Sequence, residues 1–155
     1  MPEELLIEVY SREEAGAILS SASERADVCF LISIGEPHDQ PPAGYANVRD
    51  KLRLLFADTT DESGPTEEDI RSLIRIARAL KGRSGRVLAH CQAGISRSAA
   101  AAVIVYVVML GAGNEEEAVA RVMKQREIAS PNRRMIAIAD RLLELDGRLI
   151  AAVDG

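Results

Sequence analysis

From Val87 to Leu110 the chain reads VLAHCQAGISRSAAAAVIVYVVML: a short apolar run, a polar loop, then a long apolar run. The stretch GRVLAH that ends on His90 has the length and composition of a strand. Arg97–Leu110 is apolar on every side, the pattern of a helix at the centre of a fold. The longest apolar run, Ala99–Gly111, falls short of the about 20 residues that a membrane span needs, so a buried core helix is expected. The unit puts a thiol, a guanidinium, a glycine and two hydroxyls at the C-terminal end of a strand, where open α/β sheets bind their ligands.

The remaining segments supply the rest of such a fold. LLIEVY (Leu5–Tyr10) reads as a strand, and Ser11 with Glu14 has capping-box spacing for a helix to about Ala22. DVCFLISIG (Asp27–Gly35) is a near-continuous apolar run, as in a strand covered on both faces. EPHDQPPAGYANV is a turn-rich loop in which His38 is read as solvated, and KLRLLFAD predicts a third strand ending near Asp58. Thr66 with Asp69 opens a helix that is apolar at Ile70, Leu73, Ile74, Ile76, Ala77 and Leu80 and stops at Gly82. Asn114 is the expected N-cap of EEEAVARVMKQR, and Ser130-Pro131 the expected N-cap and first residue of a last helix that breaks near Gly147. Alternating strands and helices predict an α/β fold: a single domain over residues 1–155, with a small central sheet of four to five strands flanked by helices on both faces.

Composition narrows the function. The 155 residues carry a net charge of −5, which argues against nucleic acid as a partner and against attraction to an anionic membrane. The N-terminal MPEELLIEVYS lacks the basic and apolar regions of a signal peptide. Two cysteines, Cys29 and Cys91, lie far apart, which fits free thiols in a reducing, cytoplasmic compartment. The sequence assigns no oligomeric state.

The loop after His90 has its own chemistry. A chain of this length can curl so that the backbone N–H groups of Gln92, Ala93, Gly94, Ile95 and Ser96 point inward, and the start of the next helix adds free N–H groups and a partial positive charge. The result is a cradle for a tetrahedral oxyanion, with Gly94 supplying positive φ at the tightest point. Cys91 lies beneath it, its thiolate favoured by the N–H groups and by Arg97. Arg97 offers a planar fork to two phosphoryl oxygens, and Ser98 a hydroxyl to the sulfur when it leaves. His90 belongs to the strand and is read as fixing the loop by hydrogen bonding. Thiolate attack on a phosphate ester also needs a general acid from another loop at the same edge. FADTTDE offers Asp58, preferred because it lies nearer the rigid strand end, and Asp61 as its rival.

VLAHCQAGISRSAA matches H-C-x-x-G-x-x-R-[ST], and in this the chain resembles cysteine-dependent protein tyrosine phosphatases of the dual-specificity type. FADTTDE resembles the family's acid loop, and IASPNRRMIAIADRLL (Ile128–Leu143) its Ser-Pro-Asn segment and terminal helix. The resemblance implies a phosphotyrosine protein phosphatase-like fold and hydrolysis of phosphate monoesters through a phosphocysteine. It implies Cys91 as nucleophile, Arg97 as clamp, Asp58 as acid and base, Ser98 as partner of the leaving thiolate, Asn132 as a buttress of the loop, and no metal or other cofactor. The implied substrate is protein phosphotyrosine, with phosphoserine and phosphothreonine beside it.

Other readings stand alongside. A small phosphorylated metabolite or a phosphoinositide would use the same site, although Gln92 and Ile95 are neutral where phosphoinositide phosphatases resembling this family carry Lys. A phosphate-binding module without turnover and a rhodanese-type sulfurtransferase are further alternatives. Cys29, mid-strand in an apolar run, is read as core, with disulfide trapping of oxidised Cys91 as a second role.

Overall fold

The computed structural model describes residues 5–155, so the readings that fall on Met1–Glu4 lie outside the described residues. Four strands, β1 (Leu5–Ser11), β2 (Val28–Gly35), β3 (Lys51–Leu55) and β4 (Gly85–Cys91), form one sheet in the order β1-β4-β2-β3. Every pairing is parallel. Six helices accompany it among the described residues: α1 (Arg12–Leu19), α2 (Glu67–Leu80), α3 (Arg97–Leu110), α4 (Glu115–Gln125), α5 (Arg133–Leu142) and α6 (Arg148–Asp154).

Strand alternation divides the interior in two. Ile7, Val9, Ile32, Ile34, Val87 and Ala89 face a large core closed by α2, α3 and α5. Leu31 and Leu88 face a small one closed by Leu19 of α1 and by Val48 of the β2–β3 connection. Both faces are therefore covered, which is why the central strands β2 and β4 read as continuous apolar runs. The helix α3 is buried from Arg97 to Val107, and its first turns, Ala99–Ala102, have no side chain beyond Cβ, so the helix lies close against the sheet.

Several boundaries differ from those read off the sequence. The first helix ends at Leu19, not Ala22, because a serine-rich segment follows in which the Ser21 hydroxyl accepts from Glu24 N–H. The strand β3 ends at Leu55: β2 stops at Gly35, whose carbonyl accepts from Phe56 N–H, so Ala57 and Asp58 have no neighbour to pair with. Asn114 is the N-cap residue of α4 as expected, but without a side-chain cap hydrogen bond; its amide donates back to the carbonyls of Leu110 and Gly111. The helix α5 begins at Arg133 with Asn132, not Ser130, as its N-cap, accepting from Met135 N–H at 3.0 Å. The last helix does break, with Gly147 in the left-handed region at the start of α6. The capping boxes at Ser11/Glu14 and Thr66/Asp69 form as the spacing predicts.

Candidate active site

Alternation along β4 decides which way each residue of His90-Cys91 faces. Cys91 shares the large-core side with Val87 and Ala89, while His90 faces the other side of the sheet, toward Ser33. The chain then curls through Gln92–Ser96 into α3.

Every carbonyl of the curl is occupied from outside. Gln92 O accepts from Arg12 N–H (3.2 Å), Ile95 O from Ser130 N–H (2.7 Å), and Ser96 O from Asn132 N–H (3.1 Å) and Ala100 N–H (3.0 Å). Ala93 O and Gly94 O accept from Arg126 Nη2 (3.2 Å) and Nε (3.1 Å). Among the described residues no peptide bond is cis. In a trans peptide the N–H points opposite to the C=O of the same unit, so the N–H groups of Ala93 through Arg97 turn toward the inside of the curl. Gly94 sits at φ +69, where a Cβ would lie 2.5 Å from the Tyr10 carbonyl carbon and 2.6 Å from Ser11 N. Only glycine fits there, for conformation and for space.

Cys91 is 3 % exposed, and its sulfur lies 3.0 Å from Ser98 Oγ. Burial, the largest influence, pushes the thiol up, but the Ser98 hydroxyl, the N–H groups of Ser98 and Gly94, and the Arg97 charge together outweigh it and hold the thiol below its ordinary value. Arg97, 4 % exposed, donates from Nη1 to Phe56 O at 2.8 Å and stands 3.7 Å from the Glu36 carboxylate. Its Nε is buried with no hydrogen-bond partner, a costly state that an anion in the curl relieves.

Asp58 is exposed and held at the rim of this curl, its Oδ1 accepting from Ser96 Oγ (2.7 Å) and Asn132 Nδ2 (2.9 Å). Asp61 is occupied by its own turn. Its Oδ1 accepts from Thr59 Oγ1, Ser63 N–H and Ser63 Oγ, and the Ser63 hydroxyl foremost holds the carboxyl below its usual range, which favours the carboxylate with no proton to give. Asn132 is buried and joins three parts: Nδ2 to Asp58 and to Thr59 O, Oδ1 to the N-terminus of α5, and its backbone N–H to Ser96 O.

His90 is 1 % exposed, with its pKa down to about 4, first because of burial and then because of Arg53, Arg12 and Arg97. The neutral ring carries one proton. Nδ1 faces the Cys91 carbonyl at 3.2 Å, which can only accept, so Nδ1 donates. The Ser33 hydroxyl, itself 2.7 Å from Arg53 Nη1, then donates to Nε2 at 2.6 Å.

Thus Cys91, Arg97, Ser98, Asp58 and Gln92–Ser96 converge at one sheet edge, with His90 and Asn132 behind them. The sequence reading missed Arg126, Arg12 and Glu36. Their only signal is charge, and each meets the site across a long chain separation. Cys29 lies elsewhere: its sulfur would sit 3.6 Å from a Cβ on Gly85, at the opposite end of β4 from Cys91. At about 3.3 Å per residue the two are roughly 20 Å apart, far beyond the about 7 Å Cα spacing that a disulfide tolerates. The disulfide role for Cys29 has no route in this fold.

The family model described as "Dual specificity phosphatase, catalytic domain" matches residues 13–140. Human dual specificity protein phosphatase 4 is 41% identical over 73 residues, 47% of this chain, and the match spans only 18% of that protein's length. Among solved structures, human DUSP28 superposes with a TM-score of 0.67 at 23% identity, covering 89% of this chain and 91% of that one. PTPMT1 in complex with PI(5)P superposes with a TM-score of 0.61 at 20% identity, covering 94% and 93%. With the curl, the buried sulfur and the Asp-bearing loop already in place, the matched span takes in Asp58, Cys91, the curl, Arg97, Ser98 and Asn132, and the chain belongs to the dual specificity phosphatase catalytic-domain family.

Proposed function

We propose that this protein hydrolyses phosphate monoesters, chiefly protein phosphotyrosine together with phosphoserine or phosphothreonine, through a phosphocysteine intermediate. The observation that carries the reading is the outward seating of all the carbonyls from Gln92 to Ser96 above a sulfur bonded to Ser98. In that arrangement the inward N–H groups and Arg97 bind the phosphoryl oxygens and spread the charge of the transition state. Cys91 Sγ attacks phosphorus and the P–O bond to the leaving group breaks, while Asp58 gives its proton to the departing oxygen. Asp58, now a carboxylate, takes a proton from water as that water attacks phosphorus. The S–P bond breaks, and the thiolate leaves toward the Ser98 hydroxyl with release of inorganic phosphate. Asn132 and Ser96 aim Asp58, and His90 steadies the Cys91 carbonyl.

A protein substrate is supported over a polyphosphorylated headgroup by the exposed, uncharged Gln92 and Ile95 at the mouth of the curl. A single catalytic domain over residues 1–155 is part of the same reading. Two free cysteines fit a reducing compartment, and we place the protein in the cytoplasm on that ground; among the described residues no helix is long and apolar enough to cross a membrane.

The test is hydrolysis of p-nitrophenyl phosphate in EDTA. The expected result is turnover that vanadate inhibits and that Cys91→Ser abolishes. Asp58→Ala should lower kcat on the order of 10²-fold or more with little change in phosphate affinity, and Asp61→Ala should stay within a few-fold of wild type. Turnover that EDTA removes, or that survives Cys91→Ser, refutes the mechanism. A panel of phosphopeptides, nucleotides and inositol phosphates ranks the substrates.

A further inference from the structure

We propose that Arg126 is the positioning residue that locks the phosphate loop in its anion-receiving shape, with Glu14 as its counter-charge. The inference rests on the phosphatase reading, and names what keeps that site in working form.

Arg126 stands just beyond α4, where its own N–H closes the helix on Val122 O at 2.8 Å. Its side chain, 15% exposed, reaches the back of the loop. Nε and Nη2 take the adjacent carbonyls Gly94 and Ala93, and Nη1 and Nη2 take the two carboxylate oxygens of Glu14 at 3.0 and 2.8 Å. One planar group thus satisfies two peptide oxygens and one carboxylate, a pattern that the single ammonium of Lys cannot copy. Glu14 is fixed in turn: its Oε1 accepts from Ser11 N–H at 2.8 Å as half of the capping box, and Arg126 foremost holds its carboxyl down to about 2.

The location explains the need. The other outward carbonyls, Gln92, Ile95 and Ser96, are held by backbone N–H groups of neighbouring segments. At the apex, among the described residues, Ala93 O and Gly94 O have only the Arg126 side chain. The apex is also where the chain turns most easily, because glycine accepts either sign of φ. A peptide that flipped there would replace an inward N–H by an inward oxygen, setting a lone pair against both the thiolate and a phosphoryl oxygen. Removing Arg126 removes what opposes the flip and leaves two oxygens seeking a donor. The consequence is a thiol that ionises less readily and a weaker anion site, in a chain whose fold is otherwise held by cores that Arg126 does not enter.

The test compares wild type with Arg126→Gln, Arg126→Lys and Glu14→Gln, each checked for native circular dichroism. Two readouts are used: the pH midpoint of Cys91 alkylation by iodoacetamide, and the affinity for tungstate by calorimetry. Arg126→Gln is expected to raise the midpoint by about one pH unit and weaken tungstate about tenfold, the scale of losing hydrogen bonds that favour a charged group. Arg126→Lys should resemble Arg126→Gln rather than wild type. A folded Arg126→Gln that melts earlier but keeps both midpoint and affinity would make the role merely structural and overturn the proposal. Should Arg126→Gln fail to fold, Glu14→Gln decides: it keeps an amide oxygen for Ser11 N–H and loses the charge together with the oxygen that accepts from Arg126 Nη1. It is expected to move both readouts in the same direction by about threefold, and unchanged values overturn the proposal. Neither readout requires turnover, so a wild type that ionises Cys91 and binds tungstate yet cleaves no aryl phosphate sinks the phosphatase reading while this inference is still decided.

Discussion

A sulfur that is nearly out of contact with water ought to be a poor acid, and at Cys91 the sign is reversed by groups of the loop and helix that follow it: Ser98 Oγ, two backbone N–H groups and the Arg97 charge. His90, its sequence neighbour, shows the opposite outcome. It too is buried, but it faces three arginine charges, and its hydrogen bond to the Cys91 carbonyl offsets desolvation only in part, so the ring stays neutral. Its pKa lies near 4 in the fold and 6.5 in the open chain, so below pH 6.5 the unfolded state binds a proton that the folded state refuses. Stability therefore falls as pH drops from 6.5 toward 4, by up to about 3 kcal/mol from this group alone, and is recovered above 6.5. Urea unfolding at pH 7.5, 6 and 5 should show that loss, and His90→Gln should flatten the slope; an equal slope in the variant would remove His90 as its source.

Elements end in this protein where a side chain from elsewhere supplies the missing partner. The turn between α5 and α6 is the clearest case. The carboxylate of Asp140, 4 % exposed, accepts from Gly147 N–H (2.8 Å), Leu149 N–H (2.9 Å) and Ile150 N–H (3.1 Å), so one residue in α5 caps the whole start of α6. Leu149 is thereby held in the large core. Asp140→Ala leaves three donors without their acceptor and is expected to cost about 2 to 4 kcal/mol in urea unfolding, with loss of amide-exchange protection confined first to α6 and aryl phosphate turnover within twofold of wild type. Asn132 works the same way one element earlier, capping α5 while tying it to the acid-bearing loop. A Ser130 cap was the natural reading because Ser-Pro is a common start, but Ser130 N–H is committed to Ile95 O, and the helix begins only after that contact is made.

Across the whole molecule, chemistry and bulk sit at different ends of one sheet. The C-terminal strand ends carry Cys91, the loop that bears Asp58 and the seats of the curl, while Cys29 lies by the N-terminal end of β4, where burial raises its thiol. Mild peroxide should therefore oxidise Cys91 to sulfenic and then sulfinic acid without a Cys29–Cys91 cross-link, and Cys29→Ser should inactivate at the wild-type rate; a linked peptide in the mass spectrum would overturn this geometry. The sequence by itself determined the strand–loop–helix unit, the run of α3 from Arg97 to Leu110, the capping boxes and the positive φ of Gly94, because each is set by residues within a few positions of one another. Only the tertiary structure decided who holds the loop open. Arg12 at the start of α1, and Arg126, Ser130 and Asn132 in the connection between α4 and α5, reach its carbonyls from two distant places in the chain, and Asp58 rather than Asp61 meets it through Ser96. Those meetings depend on where packed helices and a short edge strand deliver their ends, and no periodicity along the chain encodes a direction in space between segments that far apart.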